Sequence, residues 1–119
     1  MKILPELVSK LGKSKVIEVL SELEKGDKSQ IDIMHDLRIA PSTAGRALRI
    51  LVELGLIKKY LCEKTRSENC YSITPLGRMI LNELKKIERI YLEGVSEDEK
   101  FEMEAEGYFY RGDKDYDTD

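Results

Sequence analysis

The 119-residue sequence has little of what several protein classes require. It contains no tryptophan, two phenylalanines, three prolines and a single histidine. No apolar run approaches the roughly 20 residues of a membrane-spanning helix. Pro5 and Glu6 stand where a signal peptide would carry its apolar stretch. These absences predict a cytoplasmic protein that does not span a membrane.

The residues that most enzymes and metal proteins depend on are equally sparse. There is no glycine-rich phosphate loop, and His35 has no partner residues in a pattern typical of a nucleophile and its base. The two cysteines, Cys62 and Cys70, are separated by a spacing that zinc sites do not use. The sequence therefore predicts a protein that is not an enzyme and holds no metal or cofactor.

Charge is abundant but unevenly distributed. Charged residues make up 36% of the chain, against about 25% in an average domain. The net charge of −3 divides into +4 for residues 1–95 (17 basic, 13 acidic) and −7 for residues 96–119 (3 basic, 10 acidic). An acidic tail thus conceals a basic body, as expected of a protein that binds a polyanion. One glutamine and two asparagines among many Lys and Glu are typical of thermophiles.

Helical spacing of apolar residues dominates the first half of the chain. A first helix ends near Gly12, a second follows Ser14 and ends at Gly26, and a third is capped by Ser29. We expect Ile17 and Ile31 to point inward from the second and third helices. A fourth helix, residues 41–54, begins at Pro41 and ends at Gly55. Its predicted inner side consists of Ala44, Ala47, Leu48 and Leu51.

Alternation then predicts a hairpin followed by a long helix. Strands at 57–62 and 70–74 flank a polar loop, 63–69, and a helix runs from Pro75 to about Gly94. A hairpin symmetric about Arg66 places Leu61 opposite Tyr71 and Cys62 opposite Cys70, with both sulfurs on the outer side. A disulfide staple, two free thiols and a redox switch are then all open interpretations.

This order of elements is that of a winged helix-turn-helix, and particular residues carry the resemblance. Residues 29–57 resemble transcription regulators of the MarR and ArsR kind, including archaeal and archaeal-virus members. The similar segments are Pro41-Ser42-Thr43, Arg46-Ala47-Leu48, Leu54-Gly55-Leu56-Ile57 and Thr74-Pro75-Leu76-Gly77. The resemblance covers about residues 10–93. It implies a mainly α (α+β) fold with a two-stranded wing and a long C-terminal helix.

Three positions depart from the family pattern. Arg38 stands where the turn usually has glycine, so that either a left-handed backbone there is strained or the turn has another shape. Ala40 replaces the usual Ser or Thr cap. Gly45 lies inside the fourth helix, where it either permits close approach to DNA or reflects drift at a tolerated site.

The resemblance and the exposed side of the fourth helix together predict a site for double-stranded DNA. Arg46 and Arg49 lie one turn apart, where each can donate to guanine or to a phosphate. Wing residues would hold the DNA backbone or minor groove. The predicted DNA-binding residues are Ser42, Thr43, Gly45, Arg46, Arg49, Lys58, Lys64 and Arg66.

Residues 1–95 are expected to form one DNA-binding domain that includes its dimerisation helices. Excess apolar surface on the first helix and on 75–93 predicts a homodimer. The tail, 96–119, is partly helical or disordered, docks through its aromatic residues, or competes with DNA for the basic face. The alternative function is a winged-helix protein-interaction module without base readout.

Overall fold

The computed structural model describes residues 2–63 and 68–95, which form five helices and three strands. The order is α1 (Leu4–Leu11), α2 (Val16–Glu24), β1 (Lys28–Ser29), α3 (Gln30–Leu37), α4 (Pro41–Glu53), β2 (Ile57–Leu61), β3 (Asn69–Ile73) and α5 (Pro75–Gly94). The predicted mainly α winged helix-turn-helix with a long C-terminal helix is confirmed. The predicted tail and any helix beyond residue 95 lie outside the described residues.

The chain divides into two units, residues 1–84 and 85–119, of which the second is described only for its first eleven residues, most of them in α5. None of the described helices is long and apolar enough to cross a membrane.

The core of the first unit is built where α2, α3 and α4 pack together. The inner side predicted for α4 is confirmed, because Ala44, Ala47, Leu48 and Leu51 are all buried. The inward prediction for Ile31 is wrong: its side chain is 64% exposed. Residues two apart on a helix point about 200° apart, so burial of Ile33, also in α3, turns Ile31 outward. Ile17 is likewise exposed, next to the buried Val16.

Helix α3 begins with a complete capping box. The backbone amide of Asp32 donates to Ser29 Oγ at 3.2 Å, and the amide of Ser29 donates to Asp32 Oδ2 at 3.1 Å. The predicted cap at Ser29 is therefore confirmed, and two first-turn donors are satisfied. Ser14 does not act as a cap, because α2 begins at Val16 after Lys15, whose backbone is left-handed at φ 67°.

The three strands form one antiparallel sheet in the order β1-β3-β2. The predicted hairpin register is wrong: Lys59 lies opposite Tyr71, and Tyr60 lies opposite Cys70. The Cys62 amide donates to the Glu68 carbonyl, which fixes this pairing two residues away from the predicted one. Strand β1 was not predicted, because two residues are too few to show alternation.

The segment Thr74-Pro75-Leu76-Gly77 joins the sheet to α5. The Thr74 hydroxyl donates to the Gly55 carbonyl at 2.8 Å and accepts from the Gly77 amide at 3.0 Å. A Cβ on Gly77 would lie 2.1 Å from the Leu56 carbonyl oxygen. Only glycine therefore lets the start of α5 approach the Leu56 backbone, between α4 and β2, this closely.

Candidate nucleic-acid interface

The turn between α3 and α4 sets the direction of α4. Arg38 has a left-handed backbone, φ 57° and ψ 51°, and the next residue's amide, Ile39 N, bonds the Met34 carbonyl at 3.1 Å. The sequence predicted strain if the turn kept this shape with arginine in it, and the structure keeps it. A left-handed non-glycine residue costs roughly 1–2 kcal/mol. The surrounding core therefore holds the turn against a local backbone penalty.

The N-terminus of α4 lacks a side-chain cap. Ala40 is extended and makes no cap bond, and Pro41 occupies the first turn, where its missing N–H costs nothing. The first turn contains no acidic residue. Exposed Ser42 and half-buried Thr43 follow. Uncapped amides at a helix N-terminus attract anions, which suits the phosphate contact predicted for these two hydroxyl residues.

The outward side of α4 carries two arginines. Arg46 and Arg49 are exposed, one helical turn apart, and neither forms an ion pair within the described residues. They lie on the side opposite to the buried residues of this helix. The side chains predicted to contact DNA are thus presented to solvent, as a groove-binding helix requires.

Gly45 is less open than its predicted role suggests. It is half-buried, and a Cβ there would lie 3.5 Å from Gln30 Nε2. The same nitrogen donates to the Pro41 carbonyl at 3.3 Å. Gly45 therefore lies beside the side chain that links the start of α3 to the start of α4, and a Cβ would make only an ordinary contact there.

A cleft of about 280 Å³ separates α4 from the sheet. Arg49 lines it from α4, and Lys59 lines it from β2. The other lining residues are Gly45, Leu48, Val52, Glu53 and Tyr71. The cleft has an apolar floor, two cations and one carboxylate.

The two lysines of β2 fall on opposite sides of the sheet. Lys59 lies opposite Tyr71, on the side that faces α4, and Lys58 lies opposite Ser72 on the other side. Lys58 was predicted among the site residues, and Lys59 was not. The alternation that puts Lys59 on the side of Ile57 was the signal for its position. Lys64 and Arg66 lie outside the described residues.

The two cysteines form a disulfide at the base of the wing. Their sulfur atoms are 2.05 Å apart and their Cα atoms 5.2 Å apart. Because Tyr60 is opposite Cys70, the bond is diagonal, not directly across the strands as predicted. Cys62 is 9% exposed, so the outward placement predicted for its sulfur holds only in part. The interpretation as two free thiols is wrong; a staple and a redox switch stay open.

Other cationic side chains among the described residues form ion pairs with acidic neighbours. Lys28 Nζ lies 2.7 Å from Asp36 Oδ2, and this hydrogen bond raises the pKa of Lys28 and lowers the pKa of Asp36. Lys25 pairs with Glu22 at 2.8 Å. By contrast, Lys58 and Lys59 form no ion pair with any described residue. No group of three His, Cys, Asp or Glu side chains among the described residues is placed to hold a metal.

Known proteins share the fold that carries this site. One protein family, described as winged helix-turn-helix, matches residues 13–91. No curated protein sequence matches the chain. The transcriptional regulator BldR from Sulfolobus solfataricus is 21% identical with a TM-score of 0.60, over 91% of this chain and 84% of its own.

Two further solved structures have the same fold. A transcriptional regulator homologue from Pyrococcus horikoshii OT3 is 21% identical with a TM-score of 0.66, over 79% of this chain and 97% of its own. A cysteine-to-serine mutant of MarR from E. coli is 16% identical with a TM-score of 0.60, over 87% of this chain and 82% of its own. The resemblance to winged helix-turn-helix proteins is therefore confirmed at the level of fold.

Proposed function

Because the chain belongs to the winged helix-turn-helix family, we propose that it is a sequence-specific, double-stranded-DNA-binding transcriptional regulator without enzymatic activity. The observation that carries this proposal is the two-sided character of α4. One side is fully buried, and the other presents Arg46 and Arg49 without ion-pair partners among the described residues. The names of its structural neighbours, which are those of transcriptional regulators, support the same function.

In this proposal α4 and its C-cap residue, together residues 41–54, enter the major groove. A helix with its side chains is about 10–12 Å across, and the groove is about 12 Å wide. Guanidinium groups can donate two parallel hydrogen bonds to guanine O6 and N7. Ser42 and Thr43, at the uncapped N-terminus, would bind the backbone and fix the depth of insertion.

The wing would make the second contact. Loop 63–69 is proposed to lie on the DNA backbone or in the minor groove, with Lys58, Lys64 and Arg66 contributing charge. Contacts of this kind position a protein without specifying sequence. The disulfide between Cys62 and Cys70 supports this role, because it closes the loop at its base.

We propose that the regulator acts as a homodimer through α1 and the helix at 75–93. Ile3, at the N-cap of α1, and Val8, within α1, are more than half exposed, and on α5 the same is true of Ile87 and Ile90. Exposed apolar side chains of this size are typical of an interface. A two-fold dimer would present two copies of α4 to half-sites roughly 34 Å apart.

Selection of duplexes from a random pool tests the proposal. The full-length protein should enrich one sequence with two-fold symmetry, and its affinity for that sequence should fall steeply as salt rises. Arg46→Ala should cost roughly 1–3 kcal/mol of binding and relax the preference at one base pair in each half-site. Glu18→Ala, a change on α2, is the matched control and should bind as the unaltered protein does.

Failure of this selection has a clear meaning. A pool that is not enriched, together with duplex binding that is absent even at low salt, contradicts regulation through base readout. The same fold would then serve as a protein-interaction module, the alternative that the sequence left open. An enriched site without two-fold symmetry contradicts only the homodimer.

A further inference from the structure

We propose that Arg49 and Lys59 jointly hold one phosphate of the DNA backbone in the cleft between α4 and the sheet, whereas Arg46 contacts base edges. This division of labour rests on the function proposed above. It assigns different partners to two arginines that the sequence treats as equivalent. It also assigns a binding role to Lys59.

The first step is the placement of the cations. Arg49 reaches the cleft from α4, and Lys59 reaches it from β2. Neither forms an ion pair with a described residue, and Glu53 lines the same cleft without pairing with either. Two like charges in one cleft repel each other, and an anion between them removes that repulsion.

The second step is the shape of the cleft. Its volume of about 280 Å³ is several times the roughly 30 Å³ that a water molecule occupies in the liquid. The half-buried Gly45 adds no side chain at one end, and Leu48 and Val52 form part of an apolar floor. The cleft therefore admits a phosphodiester group whose charged oxygens turn toward the two cations.

The third step separates the two arginines. Arg46 does not line the cleft, although it lies one turn from Arg49 on the same exposed side. A guanidinium that holds a phosphate against Lys59 cannot also span a guanine edge. Arg46 is therefore the side chain available for base readout, and Arg49 is the one that fixes α4 against the backbone.

Coupling between the two cations is the decisive measurement. Arg49→Ala, Lys59→Ala and the double variant are titrated by fluorescence anisotropy against the duplex selected by the unaltered protein and its single-base-pair variants. Each single change should weaken every duplex by the same factor, about three- to tenfold. The double variant should weaken binding by less than the product of the two single factors. It should also reduce the slope of log affinity against log salt concentration by about one unit, not two.

Two controls separate charge from fold. Lys58→Ala removes a lysine from the opposite side of the same strand. Its effect on DNA affinity should be independent of that of Arg49→Ala, so that the factors of the two single variants multiply in the double variant. Lys59→Arg keeps the charge and should retain most of the affinity. Arg46→Ala, unlike Arg49→Ala, should change the ranking of the base-pair variants.

The carboxylate in the cleft gives an opposite prediction. Glu53→Gln removes a negative charge beside the proposed phosphate and should raise affinity for every duplex about two- to threefold. Unchanged affinity in Glu53→Gln, independent losses in the double variant, or relaxed base preference in Arg49→Ala would each overturn the inference while the proposed function stands. Unaltered protein that binds no duplex at the lowest salt overturns the proposed function, and this inference with it.

Discussion

The helix-turn-helix, α2 to α4, and the hairpin formed by β2 and β3 are stabilised in different ways. The helices bury complete side chains: Leu20, Leu23, Ile33 and Leu51 are fully enclosed. In the hairpin Leu61 is 59% exposed. Among the described apolar side chains of its two strands, the buried ones are Ile57 and Tyr71. Instead, a disulfide joins its strands, and the Tyr60 hydroxyl donates to an Asp27 carboxylate oxygen.

This difference gives the two proposed DNA contacts, the helix and the wing, different physical characters. A helix packed on a dense core is held rigidly, because neighbouring side chains leave it no alternative position. A hairpin with little buried surface is only marginally stable in water and needs a further link, here the disulfide. We therefore expect substitutions in the core to abolish the fold, and loss of the disulfide to alter the wing first.

The largest expected effect comes from matched leucines in the two regions. Leu51→Ala in α4 should lower the free energy of unfolding by roughly 2–5 kcal/mol, because it leaves a cavity in the core. Leu61→Ala in β2 makes the same chemical change at an exposed position and should cost less than about 0.5 kcal/mol. Denaturant unfolding followed by circular dichroism measures both. Similar losses in the two variants would remove the distinction between core and wing.

Removing the disulfide should have the next largest effect. The disulfide closes a nine-residue loop from Cys62 to Cys70, for which the chain-entropy relation gives about 2.6 kcal/mol. Dithiothreitol should lower the unfolding midpoint of the unaltered protein accordingly. The double variant Cys62→Ala, Cys70→Ala should start at the lower midpoint and show no response to the reductant. A midpoint that ignores the reductant in the unaltered protein contradicts a stabilising role for the bond.

The two regions also differ in how well the sequence predicted them. The inner side of α4 followed from four residues at helical spacing, and burial on a 3.6-residue period leaves one orientation. The register of the hairpin did not follow, because Lys58, Lys59 and Tyr60 give a strand no strong apolar alternation. The strand pairing predicted from a centre at Arg66 was then off by two residues.

The candidate site was predictable in its residues and not in their grouping. Exposure of Arg46 and Arg49 follows from the helical period alone. That Arg49 lines the cleft and Arg46 does not depends on where Lys59 lies relative to α4. This position is set by long-range packing between β2 and α4. The side-chain contact between Gln30 and the α4 backbone is also long-range, and no local pattern in the sequence indicates it.

A smaller effect is expected from the turn that separates the two helices of the motif. Arg38→Gly should raise the free energy of unfolding by about 0.5–1 kcal/mol, because glycine adopts the left-handed backbone of φ 57° without strain. Arg38→Ala removes the side chain but keeps the Cβ, so it should bring no such gain. Thermal unfolding of the two variants separates the backbone effect from that of the charge. Equal stabilisation by both would show that the arginine charge, not the backbone, is unfavourable here.

The smallest expected effect is a pH dependence that arises within the helix-turn-helix. The hydrogen bond from Lys28 lowers the pKa of Asp36 in the folded protein. Its stabilisation is therefore present above the pKa that an aspartate has in the unfolded chain, and it is lost as pH falls through the lower folded value. The coupling between Lys28→Met and Asp36→Asn, measured in a double-mutant cycle, should be favourable at pH 7 and vanish well below about pH 4. Because the pair is exposed to solvent, the coupling should also weaken with added salt. A coupling that persists at low pH would show that the pair acts through packing and not through charge.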